Sequence, residues 1–220
     1  MRPGELLDLG RMGYREAWAV QRQRHQLRVE GSAPDTLILV EHPPVITLGR
    51  AFAGQSLLLT EQEYQQRGIE VVRTDRGGDV TYHGPGQLVG YPIFDLKDHG
   101  ADLHKFLRAI EEALIEAVAE FGIKGVRSSI NTGVWVHGEK LAAIGIKVSK
   151  WVSLHGFALN VDPDMSAFDL IVPCGLTGYR ATSMAAQLGE PPSMDAVKQA
   201  VNKRISTGFD LDLDALNTVL

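Results

Sequence analysis

The only cysteine of the chain, Cys174, lies in Val172-Pro173-Cys174-Gly175. Proline fixes the approach of the backbone and glycine accepts φ > 0, so the thiol belongs on a sharp, positioned turn, a reasonable seat for a nucleophile. A solitary cysteine is more often a small buried apolar residue, and nucleophilic work needs a partner that raises its thiolate fraction. Lys140, in Glu139-Lys140-Leu141-Ala142-Ala143-Ile144-Gly145, offers one. In an unbulged strand its side chain shares a face with Ala142, Ile144 and Ile146, the residues expected to look into the core, while Lys147 has the opposite parity and points to solvent. Burial disfavours an ammonium and makes the amine a base; an ammonium beside a thiol favours the thiolate. The competing reading is a lysine at a hairpin end that bends out to water.

His83 and His155 each precede a glycine at the edge of an extended run. Either can line a pocket, serve Cys174 as general base, or be a hydrogen-bonded structural histidine, and spacing alone does not choose between these. The seven histidines contain no H-E-x-x-H or comparable close ligand set, so no metal is expected. The glycines around Gly77 fit neither G-x-G-x-x-G nor a Walker pattern, which leaves nucleotide chemistry without support.

These residues must be held by a mixed set of elements. Residues 14–30 read as an amphipathic helix stopped by Gly31. A strand over 36–41 and another over 45–48 are separated by a turn at His42-Pro43-Pro44, because neither proline can donate to a ladder. Thr60 caps a short helix over 60–67, and a strand follows over 69–73. Residues 76–94 are glycine-rich and then extended, which lets backbone come close to something. Residues 101–121 form the longest helix, with Leu103, Phe106, Leu107, Ile110, Ala113, Leu114 and Ala117 at helical spacing and Gly122 closing it. Three adjacent antiparallel strands follow over 134–136, 141–148 and 152–161, the first two joined at His137-Gly138-Glu139. A last helix runs over about 193–205. Strands clustered in hairpins favour α+β, with a mixed, mainly antiparallel sheet, over a doubly wound parallel sheet.

Length and composition set outer bounds. At 220 residues a single domain spanning 1–220 is the default. An apolar content of 44% with 22% charged residues is ordinary globular composition, and no apolar run is long enough to span a bilayer. The N-terminus lacks the apolar run and cleavage site of a secretory signal, so a cytoplasmic location is expected. One cysteine excludes an intrachain disulfide. A net charge of −5 argues against a general nucleic-acid binder. Arg15, Arg22, Arg24 and Arg28 on the first helix form a local exception, either a solvated face or a docking patch for an acidic partner whose hold weakens with salt.

The segment Arg76-Gly77-Gly78-Asp79-Val80-Thr81-Tyr82-His83-Gly84-Pro85-Gly86-Gln87-Leu88-Val89-Gly90-Tyr91-Pro92-Ile93 resembles the signature segment of the lipoyl(octanoyl) transferases. Three further blocks follow in that family's order: Lys140 with Ala142-Ala143-Ile144-Gly145, then His155-Gly156-Phe157-Ala158-Leu159-Asn160-Val161, then Pro173-Cys174-Gly175. The resemblance covers roughly residues 37–178. It implies that Cys174 is the acyl-thioester nucleophile and Lys140 its dyad partner, with no metal and no cofactor. It implies an acyl pocket built from residues 76–83, from Ala143, Ile144 and Gly145, and from Gly156, Phe157 and Ala158. It also implies the fold of the lipoate and biotin protein ligases. The donor implied is octanoyl-acyl carrier protein, and the acceptor an apo lipoyl domain of a 2-oxoacid dehydrogenase or the glycine cleavage H protein, with no nucleic acid and no membrane involved. Two other readings stay in play: an ATP-dependent lipoate or biotin ligase, which needs no nucleophilic cysteine, and a noncatalytic carrier-binding module, which leaves its partners unmodified.

Overall fold

Apolar runs of the chain sort into two sheets. The structure, a computed structural model, describes residues 1–172 and 180–213; Cys174, expected on a turn, lies outside the described residues. Along the chain run β1 (Arg2–Arg11), α1 (Tyr14–Val29), β2 (Asp35–Glu41), β3 (Val45–Leu48), α2 (Glu61–Gln66), β4 (Glu70–Arg73), β5 (Val80–His83), β6 (Gln87–Ile93), α3 (Leu103–Ala119), β7 (Gly133–Val136), β8 (Glu139–Ser149), β9 (Val152–Asn160), α4 (Met184–Leu188), α5 (Met194–Phe209) and β10 (Leu211–Asp212). The larger sheet has the order β10-β1-β2-β6-β9-β8-β7, and the smaller β4-β3-β5. β1 runs parallel to β2 and β10, and β3 parallel to β4; the remaining neighbours are antiparallel. This is the mixed, mainly antiparallel α+β architecture expected.

One face of the large sheet is covered by α3 and α5, which bury Phe106, Ile110, Leu114, Val201 and Ile205 against Leu37, Leu88, Phe157 and Leu159. The other face carries Leu7, Ile38, Val40, Val89, Tyr91, Leu154 and Ala158, closed over by Ala17 of α1. Leu103 departs from its expected place: standing first in α3 beyond the Asp102 cap, it is 40% exposed instead of packed on the sheet. Thr60 caps α2 as expected, in a reciprocal box with Glu63: Thr60 Oγ1 accepts from Glu63 N at 3.3 Å, and Glu63 Oε2 accepts from Thr60 N at 2.8 Å.

The strand–turn–strand unit over 36–48 proves to be a crossing between sheets, and the 76–94 segment contains a second. β2 belongs to the large sheet and β3 to the small one, so His42-Pro43-Pro44 carries the chain from one to the other; Gly84-Pro85-Gly86 does the same between β5 and β6. The two sheets therefore lie side by side, and the space where they meet is available for a site. Between β7 and β8, by contrast, His137 and Gly138 both have positive φ, 50° and 83°, the left-handed pair that a two-residue hairpin requires.

Candidate active site

Where the sheets meet, a pocket of about 530 Å³, open mouth included, is lined by Arg76, Gly77 and Gly78 of the glycine-rich segment and by Val80, Thr81 and His83 of β5. Lys140, Ala143, Ile144 and Gly145 of β8 and His155, Gly156, Phe157 and Ala158 of β9 form its other wall, with Tyr14, Val89 and Tyr91 behind. Of the residues expected there, Asp79 and Tyr82 are not in the lining. The Tyr82 ring packs against Phe168 on the far side of the small sheet, and Asp79 takes a hydrogen bond from Ser56. Phe157 contributes backbone; its ring crosses to the α3 face, where it fills the space over Gly90.

Lys140 reaches the pocket by a route that strand parity does not give. Trp135 pairs with Lys140 but Val134 pairs with Ala142, so β8 carries one extra residue there. This bulge sends both Leu141 and Ala142 into the α3 core and turns Lys140 onto the face of Ala143 and Gly145, away from Ile144 and Ile146. Its Nζ donates to Asn131 Oδ1 at 2.8 Å and lies 5.4 Å from the centre of the Trp135 ring. An amide oxygen and an aromatic face both complement an ammonium. The loop that supplies Asn131 is tied down through the next strand: Gly133 N–H donates to the buried carboxylate of Glu111 at 2.9 Å.

The Arg76 guanidinium is committed to the loop. It donates to Thr47 Oγ1 (3.0 Å), Thr47 O (2.6 Å), Gly77 O (2.9 Å) and Asp79 O (2.9 Å), so it shapes the glycine segment into a wall. Lys147, expected in solvent, forms an ion pair with Asp75 Oδ2 at 2.6 Å. Asp75 Oδ1 accepts from His155 Nε2 at 2.7 Å, which leaves Nδ1 to accept from Tyr14 OH at 3.4 Å. His155 takes this place through a left-handed backbone, φ 60°, which swings its side chain off the face that alternation with Phe157 assigns and toward α1.

The histidines and phenols at the deep end of the pocket are held in their neutral forms. Burial pushes His83 down to about 3, with His42 adding repulsion, and pushes His42 down to about 4. Burial also lowers His155, against the pull of Asp75, and raises the phenols of Tyr14 and Tyr91. Nδ1 of His83 donates to Gln87 Oε1 (2.7 Å), and Gln87 Nε2 donates to Asn160 Oδ1 (2.9 Å), which fixes the tautomer. Neutral rings and bare glycine backbone suit a hydrocarbon chain and do not suit an anion. The close packing is demanding: a Cβ on Gly156 would stand 2.0 Å from the Gly90 carbonyl oxygen. Gly156→Ala is expected to lower stability by about 3 kcal/mol, as overpacking does, and the thermal midpoint by roughly 6–12 °C in a calorimetric scan.

Tyr14, Val89, Tyr91, Asn131 and Asp75 were not singled out by sequence. Alternation around Gly90 was the one available signal, since it puts Val89 and Tyr91 on a common face. The arginines of α1 also look different in place. Arg15 pairs with Glu70 at 2.7 Å, Arg24 with Glu5, and Arg28 with Asp35 at 2.7 Å and Asp98 at 2.5 Å, while Arg22 lies over Trp18 at 4.8 Å. The helix presents less unbalanced positive charge than its sequence suggests. No group of three metal-ligating side chains and no helix long and apolar enough to cross a membrane occurs among the described residues.

Residues 13–206 match the family described as Lipoyl protein ligase A/B catalytic domain. An octanoyltransferase of Chloroflexus aggregans is 47% identical over 214 residues, covering 96% of this chain and 97% of that one. In fold, the chain resembles a crystal structure of lipoate-protein ligase A bound with ATP, at TM-score 0.84 and 18% identity over 99% of this chain and 90% of that one. It also resembles the biotin protein ligase of Aquifex aeolicus, at TM-score 0.53 and 15% identity over 96% and 70%.

Proposed function

The chain belongs to the lipoyl protein ligase A/B catalytic-domain family, and from that premise we propose that it moves an octanoyl group from acyl carrier protein, through a thioester on Cys174, to the lysine of a lipoyl domain. Its activity is octanoyl transfer in protein lipoylation, an acyltransferase reaction with an acyl donor and a lipoyl-domain acceptor. The observation that carries the mechanistic reading is a pocket walled by glycines, alanines and neutral rings, its Arg76 guanidinium turned to backbone carbonyls, with one amine, Lys140, brought to its wall by the β8 bulge.

In this reading Lys140 takes the Cys174 proton. The thiolate attacks the donor thioester, forming the acyl–Sγ bond and breaking the donor C–S bond, and the departing carrier thiolate accepts the proton. The acceptor amine then attacks the acyl carbonyl; the C–N bond forms, the acyl–Sγ bond breaks, and the amine's proton passes by way of Lys140 to the Cys174 sulfur. Atoms balance without nucleotide or metal. The acceptors are the lipoyl domains of 2-oxoacid dehydrogenases or the glycine cleavage H protein.

The test is a transfer assay read by intact mass. Octanoyl carrier, apo lipoyl domain and the purified chain, without ATP, should give an octanoyl amide on the domain's lysine. Modification that requires free octanoate and ATP would mark a ligase, and two unmodified partners in a complex would mark a binding module.

A further inference from the structure

The strands beneath the pocket change side-chain size in a definite direction. On the α1 face, Ala143 of β8 stands opposite Ala158 of β9, Ala158 opposite Val89 of β6, and Val89 opposite Val40 of β2. In the next pocket-lining row Gly145 stands opposite Gly156, with Tyr91 beyond on β6. Across β8 and β9 the floor is therefore made of methyl groups or bare backbone, and at β6 it rises abruptly to a branched side chain and an aromatic ring. We propose that Val89 and Tyr91 form the end stop that sets the length of the acyl chain this enzyme transfers. This rests on the octanoyl-transfer reading above and adds to it the residues that choose the substrate.

The dimensions agree. Two inter-strand spacings, from β8 to β6, amount to roughly 9.6 Å. An extended eight-carbon chain, with seven C–C bonds of about 1.52 Å at near-tetrahedral angles, spans roughly 9 Å. A chain entering beside Lys140 and running across the strands thus meets β6 at its eighth carbon.

The stop is rigid. Val89 and Tyr91 are buried in the cluster with Ile38, Val40 and Leu154. Tyr91 OH donates to His42 Nε2 at 2.8 Å, and His42 Nδ1–H donates to the Met12 carbonyl at 2.8 Å, so the ring cannot swing aside without orphaning a buried histidine. Val89 has no such anchor and is the position at which the length can be altered.

The experiment compares kcat/KM for C6, C8, C10 and C12 acyl carriers in wild type, Val89→Ala and Val89→Phe, with thermal melts to confirm folding. Val89→Ala should move the optimum from C8 to C10, raising C10 relative to C8 by roughly 15-fold, the value of two methylenes at about 0.8 kcal/mol each. Val89→Phe should move it to C6 or shorter. Opposite displacements in the two variants support the stop; a folded variant that keeps the wild-type C8 optimum overturns it. If Val89→Ala does not fold, Val89→Ile, which adds one methylene, must still favour C6 over C8 relative to wild type. Wild type inert toward every acyl carrier would instead defeat the acyltransferase reading itself.

Discussion

Cys174→Ser is expected to lose the octanoyl-enzyme adduct and to slow transfer by about 10⁴-fold, and Lys140→Ala by about 10³-fold. An ordinary thiol with pKa near 8.5 is only a few per cent ionised at pH 7, so part of the Lys140→Ala deficit is simply missing thiolate. That part returns as pH rises. The log of kcat/KM for Lys140→Ala should climb with pH toward about 8.5 and then level, while wild type is flatter over the same range. Rapid-quench mass spectrometry of the acyl-enzyme, beside pH–rate profiles, checks both variants. An adduct that forms in Cys174→Ser at the wild-type rate would remove the nucleophile from the account. A Lys140→Ala enzyme with an unchanged rate would remove the amine.

Acid should unfold this protein at a pH where most carboxylates are still ionised. His42 and His83 are held down to about 4 and about 3 by burial, whereas in the unfolded chain each titrates near 6.5. Between these values the unfolded state binds more protons, so stability is intact above about pH 6.5 and drains as pH falls toward 4. At about 1.4 kcal/mol per proton per pH unit, the two histidines together cost about 4 kcal/mol by pH 5, and His155, lowered for the same reason, adds to it. Total stabilities of small proteins are about 5–15 kcal/mol, so this is a large fraction. Asp35 and Asp75 work in a lower window. Burial alone would raise them, but hydrogen bonds to His99 and Arg28, and to His155 and Lys147, hold both below the usual carboxylate range; their share is kept above about pH 4 and lost below it. Urea unfolding at pH 7.5 and pH 5 is the measurement. Equal free energies at the two values would mean that the histidines protonate freely inside the fold.

Much of this architecture could be read before any coordinates. The 3.6-residue spacing of Phe106, Ile110, Ala113, Leu114 and Ala117 marks α3, and His137-Gly138 marks a hairpin, because both signals are local. β1 was not legible: Pro3, Gly4 and Gly10 interrupt its alternation, and it is a strand because it runs parallel to β2 and meets β10 some two hundred residues away. The site shows the same divide. The glycine and alanine positions around the pocket were visible as motif, but the face that Lys140 occupies depends on an extra residue in β8 that is defined only by its partner β7. The turn of His155 out of its strand face depends on φ, which no residue type there announces, since it precedes a glycine without being one. Tyr14 enters from a helix well upstream of the motif, and only the packing of α1 on β9 brings it in.

The meeting of the two sheets has a last consequence. Gly77 N–H reaches the Ile146 carbonyl at 3.2 Å and Lys147 reaches Asp75, and these join the glycine segment to β8 across a gap that protein atoms leave partly open. A fatty tail lodged there does for the enzyme what a buried leucine does for any protein: it bridges two walls and drives out water. With an acyl chain in the pocket the two walls are more tightly braced than in the empty molecule, and the water that would compete with the acceptor is displaced from between them.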